Sequence, residues 1–324
     1  MAGPDPGATG NEALSEAGRL KRWARPLLRV AAVAFVIVAA RDLALRWGDS
    51  KVELAPGAAV VACVPLLLSC IVQGFAWIAL VERMAGRRVP RGPALSLYLA
   101  SQLARYTPGK VGLPLVRMEG APRLSLPPSL VGISVLVEML SWTATGAMLG
   151  FALLAGTAPS AGLGGLFGRL SVPLFAGAAL GLLGLLVVDR SRYPARVRKL
   201  LAPDGEGPIV PLGLPLVQFA YWALVAGHGY LMSVALGANG SAAVTAMGFY
   251  VIASVAGFVV LAAPAGLGVR EAVLLAGLGP SIGAASALGA ALISRAASLV
   301  VEVVAWLVVR GVFGGPKPVG SAPR

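Results

Sequence analysis

Long apolar runs are the feature that most restricts how this chain can fold. Three of them, residues 58–81, 171–188 and 216–236, contain no Lys, Arg, Asp or Glu. A helix needs roughly 20 residues to cross the hydrocarbon core of a bilayer. Because lipid offers the backbone no hydrogen-bond partner, such runs cross as helices. We therefore predict an all-α polytopic membrane protein.

The composition agrees with this fold class and argues against a soluble or nucleic-acid-binding protein. Hydrophobic residues make up 57% of the 324 positions and charged residues 13%, with a mean hydropathy of +0.81. A soluble domain carries about a quarter charged residues. The net charge of +13 falls in clusters between the apolar runs, as the bias of Lys and Arg towards cytoplasmic loops predicts. The expected partner is a membrane lipid with an anionic or phosphate-containing head group.

The basic clusters predict the orientation of the chain in the membrane. Residues 19–29, 82–91 and 189–199 are rich in Lys and Arg, which indicates the cytoplasmic side. Both termini are then cytoplasmic, and the chain is integral to the cytoplasmic (plasma) membrane. The predicted full spans, about six, are residues 24–45, 58–81, 128–155, 171–188, 211–236 and 283–311.

The predicted domain organisation is simple. Residues 1–20 are polar and rich in Gly and Pro, which is typical of a disordered tail and here indicates a cytoplasmic one. Residues 21–314 form the transmembrane domain, and residues 315–324 form a short cytoplasmic tail.

Two interrupted apolar segments do not fit as full crossings. Residues 92–117 begin and end beside basic segments, and residues 241–282 lie between two predicted external ends. Each must therefore enter and leave the membrane on one side, as a re-entrant helical hairpin. The order span, hairpin, span then occurs twice with opposite orientation. This predicts an inverted repeat with halves at about 58–155 and 211–311.

Short sequence matches support the repeat. "TPGKVG" (107–112) corresponds to "APAGLG" (263–268), and "VEMLSW" (137–142) corresponds to "VEVVAW" (301–306) with the same Glu-to-Trp spacing. Paired Gly/Pro-interrupted segments in two halves are the sequence signature of the binding site in inverted-repeat transporters. The predicted helix-break and hinge residues are Pro108, Gly109, Gly112, Pro264, Gly266 and Gly268.

Charged residues close to these breaks, or within the predicted span that follows each hairpin, are the candidate substrate-binding residues, since ionisable groups within a membrane are functional candidates by default. They are Arg105, Lys110, Arg117, Glu119, Glu138, Arg270, Glu271, Arg295 and Glu302. A helix starting near Val269 would point N–H groups and a positive dipole end at the cavity, and the basic side chains would complete a phosphate cradle. The alternative is charge neutralisation, with Arg270 pairing with Glu271 or Arg295 with Glu302.

Two motifs together resemble a known family. "ARYTPGKVGLPLVRMEGAP…SVLVEMLSW" and "APAGLGVREAVLLAGL…ISRAASLVVEVVAW" are similar to the flippase-like membrane domain of lysylphosphatidylglycerol synthases, over roughly residues 20–312. The resemblance implies movement of a lipid across the bilayer. The synthases carry a soluble transferase domain beyond this region. Only "GGPKPVGSAPR" follows the last span here, so synthase activity is not expected.

Other local signals are weak. No Ser/His/Asp set or cluster of metal ligands is visible, so we expect neither an enzyme nor a cofactor. His228 is the single histidine and has no second ligand near it in the sequence, which argues against a metal site. Gly177, Gly181 and Gly184 suit close helix packing.

Three functions remain open at this stage. The first is a lipid translocase that moves a phospholipid or a polyprenyl-phosphate-linked lipid by alternating access. The second is a small-anion or solute transporter that uses the same cavity. The third is a non-transporting membrane partner of a lipid- or glycan-modifying enzyme. The sequence leaves the oligomeric state open.

Overall fold

A computed structural model describes residues 54–106, 111–155, 163–201, 208–260 and 266–313. These residues form α-helices joined by turns and short 3₁₀ segments. They also contain one isolated β-bridge, but no β-strand. The longer helices are α1 (Pro56–Ala85), α2 (Arg91–Ala104), α3 (Gly112–Gly120), α4 (Pro128–Ala155), α5 (Leu163–Val187), α6 (Gly213–Ala235), α7 (Gly240–Val259), α8 (Val269–Ile282) and α9 (Ala284–Phe313).

Local sequence sets several helix ends. Helix α1 begins at Pro56, where the missing N–H of proline costs no intrahelical bond, and ends at Gly86 with φ 67°, as left-handed glycine caps do. Helix α7 begins after Asn239, whose side-chain oxygen accepts a 2.9 Å hydrogen bond from the N–H of Ala242, a favourable N-cap. A single residue, Gly283 with φ 84°, separates α8 from α9.

The outer surface of the helices is apolar, as a lipid environment requires. Five described helices are long and apolar enough to cross a membrane: α1, α4, α5 from Arg169 onwards, α7 and α9. Large aliphatic side chains on their outer faces are widely exposed, among them Val60 (70%), Leu136 (62%) and Leu180 (68%). A soluble monomer rarely exposes so large an apolar surface. The chain is therefore a helical membrane protein, as the sequence predicts.

The observed helices follow the predicted spans closely. The predicted span at 128–155 is α4, and the predictions at 58–81 and 283–311 differ from α1 and α9 by a few residues. The prediction at 171–188 ends with α5 but begins eight residues after its start at Leu163. Helix α6 corresponds to the prediction at 211–236 but is not one of the five apolar helices. It carries Gln218 and His228, and both are fully buried. The predicted span 24–45 and both predicted tails lie outside the described residues.

The two predicted hairpins differ in length. In the first, α2 has 14 residues and α3 has 9, or about 21 and 14 Å at 1.5 Å per residue. Neither can cross a hydrocarbon core of about 30 Å. In the second, α8 has 14 residues but α7 has 20, about 30 Å. Helix α7 is thus long enough to cross, a feature that the sequence interpretation does not include.

The packing of the helices links the two predicted halves. Helix α4 of the first half packs on α6 and α7 of the second, and α9 of the second half packs on α1 and α2 of the first. Helices α1 and α6, which begin the two halves, pack along each other. A two-fold related pair of halves would make this reciprocal set of contacts. The repeat itself stays a prediction that the packing supports.

The glycines that permit close helix packing are not the ones that the sequence suggests. No described heavy atom lies within 4 Å of a Cβ built on Gly177, Gly181 or Gly184 of α5, so the expectation of tight packing there is wrong among the described residues. Close approach occurs instead at Gly146 and Gly229, whose Cβ atoms would lie 2.4 Å from Trp222 and 2.6 Å from Tyr250. These glycines lie on helices that face the interior, whereas α5 is mostly exposed.

Two glycines two residues apart on α6 provide a test. Alanine is favoured over glycine by about 1 kcal/mol in a helix interior, so Gly227→Ala, with no described atom within 4 Å of its new Cβ, should unfold at the same temperature or higher. Gly229→Ala should overpack against Tyr250 and destabilise the protein by roughly 1–3 kcal/mol. Thermal unfolding in detergent measures both, and equal midpoints would contradict this packing.

Candidate functional site

Two adjacent cavities lie where the predicted halves meet. The larger has a volume of about 120 Å³, and residues of α1, α2, α4, α6, α7, α8 and α9 border it. The smaller, about 60 Å³, lies towards α3 and α4. Six side chains border both: Tyr98, Gln102, Arg105, Trp142, Tyr221 and Phe258. The polar groups of the interior are concentrated around these cavities.

Glu138 and Arg117 form a closed ion pair beside the smaller cavity. Arg117 is 1% exposed and its Nη1 donates to Oε2 of Glu138. Its Nε donates to Oγ of Ser101 at 2.8 Å, and Gln73 donates to the other oxygen of Glu138 at 2.9 Å. The guanidinium carbon lies 4.7 Å from the ring centroid of Trp77. This buried pair is well satisfied, which is the condition under which ion pairs are tolerated inside a protein.

Glu302 pairs across the two halves. Nη2 of Arg105, just after α2, donates to Oε1 of Glu302 on α9. The other carboxylate oxygen of Glu302 is buried and has no hydrogen-bond partner among the described residues. Both side chains border the larger cavity. The pair therefore connects the first predicted hairpin to the last span, at the cavity wall.

The N-terminus of α8 already carries an anion from its own chain. Oε2 of Glu271 accepts a 2.8 Å hydrogen bond from the N–H of Gly268, and Oε1 lies 3.3 Å from Nη2 of Arg295 on α9. A carboxylate in the first turn of a helix is favoured by the helix dipole. The expected phosphate cradle of free helix N–H groups is therefore at least partly occupied by Glu271.

Arg270 is held by a hydroxyl group. Its Nη2 donates to Oγ of Ser294 at 2.7 Å, and the same Oγ lies 2.7 Å from Nε2 of His228. The Nε atom of Arg270 is buried and has no partner among the described residues. The described part of the chain brings four guanidiniums to the two cavities, and Arg270 is the one without a carboxylate partner.

Neither pair of the charge-neutralisation alternative forms, and for Arg295 and Glu302 the seven-residue spacing on one helix already argues against a direct contact. Arg270 does not pair with Glu271, and Arg295 does not pair with Glu302. Glu271 takes Arg295 instead, since Arg270 extends towards Ser294. Glu302 takes Arg105 from the other half. Charge neutralisation thus occurs, but between residues far apart in the sequence.

The predicted site residues divide by location. Four border the larger cavity: Arg105, Arg270, Arg295 and Glu302. Two, Arg117 and Glu138, border the smaller one. Glu119 lies exposed on α3 and borders neither, and Glu271 lies behind Arg295 at the start of α8. Lys110 lies outside the described residues.

The predicted hinge glycines behave differently in the two halves. Gly266 and Gly268 have φ 73° and 79°, the left-handed conformation that favours glycine. A Cβ on Gly266 would also lie 2.7 Å from Cα of Gly257. Position 266 therefore requires glycine both for its backbone conformation and for its close contact with α7. Gly112 is the first residue of α3 and does not have a positive φ. Pro108, Gly109 and Pro264 lie outside the described residues.

Sequence reasoning misses the neutral polar partners. Gln73, Ser101, Ser294 and His228 all bond to a predicted charged residue or to its partner. Gln73 and His228 lie in apolar runs without a charged neighbour, and Ser294 directly precedes Arg295, which drew the attention instead. The available signal was their position within predicted helices, because polar groups there must face the interior.

The closed geometry around Arg117 predicts a structural role that stability measurements can test. Arg117→Ala leaves the buried carboxylate of Glu138 without its cation and should destabilise the protein by about 3–5 kcal/mol. Arg117→Met combined with Glu138→Gln should recover much of this loss. The matched control is Arg123→Ala, which removes an exposed arginine from the short 3₁₀ segment directly after α3. Thermal midpoints in detergent that are equal for Arg117→Ala and Arg123→Ala would contradict the assignment.

Comparison with known proteins identifies the family. Residues 26–305 match the family model described as the lysylphosphatidylglycerol synthase TM region. No curated protein matches the sequence. The matched range includes both cavities and all three ion pairs. The chain therefore belongs to the lysylphosphatidylglycerol synthase transmembrane-region family, and this membership indicates a membrane role related to lipid.

Proposed function

We propose that this protein is a lipid translocase that moves a phospholipid or a polyprenyl-phosphate-linked lipid across the cytoplasmic membrane. The observation that carries the proposal is Arg270. Its guanidinium borders the larger cavity, has no carboxylate partner among the described residues, and keeps a buried Nε–H unsatisfied. A planar guanidinium with free N–H groups is suited to grip a phosphate. The family's link to membrane lipid supports the same substrate class.

The balance of charge around the larger cavity supports an anionic ligand. Arg105, Arg270 and Arg295 border it with the single carboxylate of Glu302, and Glu271 lies behind Arg295. Two ion pairs account for two of the guanidiniums. One positive charge is left in the interior of a membrane protein, where an opposite charge is attracted more strongly than in bulk water. A phosphate group of the lipid would neutralise it.

In the proposed mechanism the two halves alternate access to this site. The head group passes through the cavity while the acyl or prenyl chains stay in the bilayer. The short helices α2 and α3 form one re-entrant hairpin from the cytoplasmic side, and α7 with α8 enters from the outside, where the 20 residues of α7 are long enough to reach across the hydrocarbon core. The protein moves its substrate without changing it chemically, so the proposal includes neither a catalytic residue nor a cofactor. A separate enzyme partner would make the lipid.

A small-anion transporter is the second candidate, and the cavity volume favours it. About 120 Å³ is less than the 300–1,000 Å³ typical of small-molecule sites. It holds an inorganic anion, whereas a lipid head group needs the halves to separate further. The two candidates share Arg270 as the binding group, so they are distinguished by what is transported.

Translocation in liposomes tests the role of Arg270. Arg270→Ala should abolish movement of a fluorescent phosphatidylglycerol between leaflets, because the site loses its unpaired positive charge. Arg270→Lys should restore it only in part, since an ammonium lacks the planar fork. Arg123→Ala serves as the control, and thermal midpoints confirm folding. Normal lipid movement by folded Arg270→Ala would refute the proposal, and uptake of inorganic phosphate without lipid movement would favour the small-anion transporter.

Cysteine labelling tests the proposed topology. In a background with Cys63 and Cys70 replaced by Ala, we introduce Ala195→Cys in a basic loop and Ser241→Cys at the start of α7, both at exposed positions. A membrane-impermeant maleimide should label position 241 in intact cells, and position 195 only after permeabilisation. The reverse pattern, or labelling of both in intact cells, would contradict the inverted-repeat topology.

A further inference from the structure

We infer that His228 is a positioning residue for Arg270 and thereby sets the preference of the larger cavity for an anionic head group, an inference that rests on the proposed function. His228 lies on α6, is fully buried and borders the larger cavity. It does not touch Arg270 directly. Its effect is transmitted through the hydroxyl group of Ser294 on α9.

The hydrogen-bond pattern assigns a direction to each contact. Nδ1 of His228 lies 2.8 Å from the backbone oxygen of Ala62 on α1. A carbonyl oxygen can only accept, so Nδ1 carries the hydrogen, and Nε2 of the neutral imidazole is an acceptor. The Ser294 hydroxyl, 2.7 Å from Nε2, therefore donates to it. With its hydrogen directed at the imidazole, the Ser294 oxygen presents its lone pairs to Nη2 of Arg270.

This chain of contacts fixes one side of the guanidinium and leaves another side free. It runs from the backbone of α1 through α6 and α9 to α8, so it draws on both predicted halves. An arginine side chain has many rotamers. Because the Ser294 hydroxyl has its hydrogen directed at His228, it can only accept from Arg270, which holds the guanidinium in one orientation. The Nε–H of Arg270, which has no partner among the described residues, is then available for an oxygen of the ligand.

The first half supplies a comparison with the same order of contacts. There Trp77 on α1 packs on Tyr98 of α2 and donates to Ser134 of α4. In the second half His228 on α6 packs edge-on against Tyr250 of α7, with centroids 5.6 Å apart, and contacts Ser294 of α9.

The difference between the two rings is chemical. An indole N–H can only donate, whereas a neutral imidazole also accepts. The guanidinium beside the tryptophan, Arg117, is closed by the carboxylate of Glu138, and the guanidinium beyond the histidine stays open. The acceptor nitrogen is thus found in the half whose arginine is free for a ligand.

Ligand preference provides the test. We measure binding of dioctanoyl phosphatidylglycerol and of dioctanoylglycerol to the full chain in detergent by titration calorimetry. The first probe carries a phosphate and a net negative charge, and the second carries neither. The wild type should prefer phosphatidylglycerol. Ser294→Ala and His228→Asn should each reduce the ratio of the two affinities about tenfold, as loss of a hydrogen bond to a charged group would.

Conservative variants separate positioning from packing. In His228→Asn, the side-chain amide lies near the former position of Nδ1 and keeps the hydrogen bond to the backbone oxygen of Ala62, but it does not reach Ser294. Glutamine reaches the position of Nε2, so His228→Gln should retain the preference for phosphatidylglycerol. Ser233→Ala is the control, because Ser233 is buried on the same helix and its hydroxyl has no partner among the described residues. It should bind both lipids like the wild type.

The outcomes distinguish this inference from the proposed function. If Arg270→Ala keeps the preference for phosphatidylglycerol, the proposed site is wrong and the role of His228 is lost with it. If Arg270→Ala loses the preference but Ser294→Ala keeps it, the proposed function stands and the positioning role is overturned. Should His228→Asn fail to fold, Ser294→Ala carries the decision alone. Equal weakening of both lipids in Ser294→Ala would indicate a packing role and would also overturn the inference.

Discussion

The pairing of buried charge is the constraint on which the interior of this protein depends. In a bilayer an unpaired carboxylate finds no water, so each must find a cation or hydrogen-bond donors within the protein. Glu138 and Glu302, predicted as equivalent residues of the two halves, meet this need differently. Glu138 is closed within its own half by Arg117, and Glu302 takes Arg105 from the other half. The second arrangement ties α9 to the end of α2 and brings the charged residues of both halves to one cavity.

Helices α1, α4 and α9 were predictable because long apolar runs mark where a membrane chain can cross, whereas the full length of α7 was not predicted. The bounds of α4 agree with the predicted span at 128–155, since the polar residues on either side can only lie outside the lipid. Pairing was not predictable in the same way. The Arg105–Glu302 contact joins residues 197 positions apart, and the neighbouring residues Arg270 and Glu271 diverge to different partners. Residue spacing restricts neighbours on one helix but carries no information about which helix lies opposite.

The partners of the neutral polar residues were not predictable from the sequence either. Ser294 and His228 are neutral side chains on two helices far apart in the sequence, yet both are fully buried and bonded to each other. These two residues and their partners, Ala62 and Arg270, lie on four different helices, so only the packed structure reveals that they act together. For the lone histidine, the sequence argument weighed only the number of possible metal ligands. That argument did not extend to the role of its ring as a hydrogen-bond acceptor.

The cavity volume and the cross-half ion pair together restrict how the proposed transport could proceed. A cavity of about 120 Å³ is too small for a lipid head group, so in the proposed mechanism the predicted halves separate before one enters. Arg105 borders both cavities, and its bond to Glu302 spans the boundary between the halves. Separation therefore weakens this pair, which costs several kcal/mol unless another anion approaches Arg105. A phosphate entering between the halves is such an anion. In the proposed cycle the phosphate of the ligand would thus offset the cost of opening. Without a ligand, the attraction between Arg105 and Glu302 would keep the halves together.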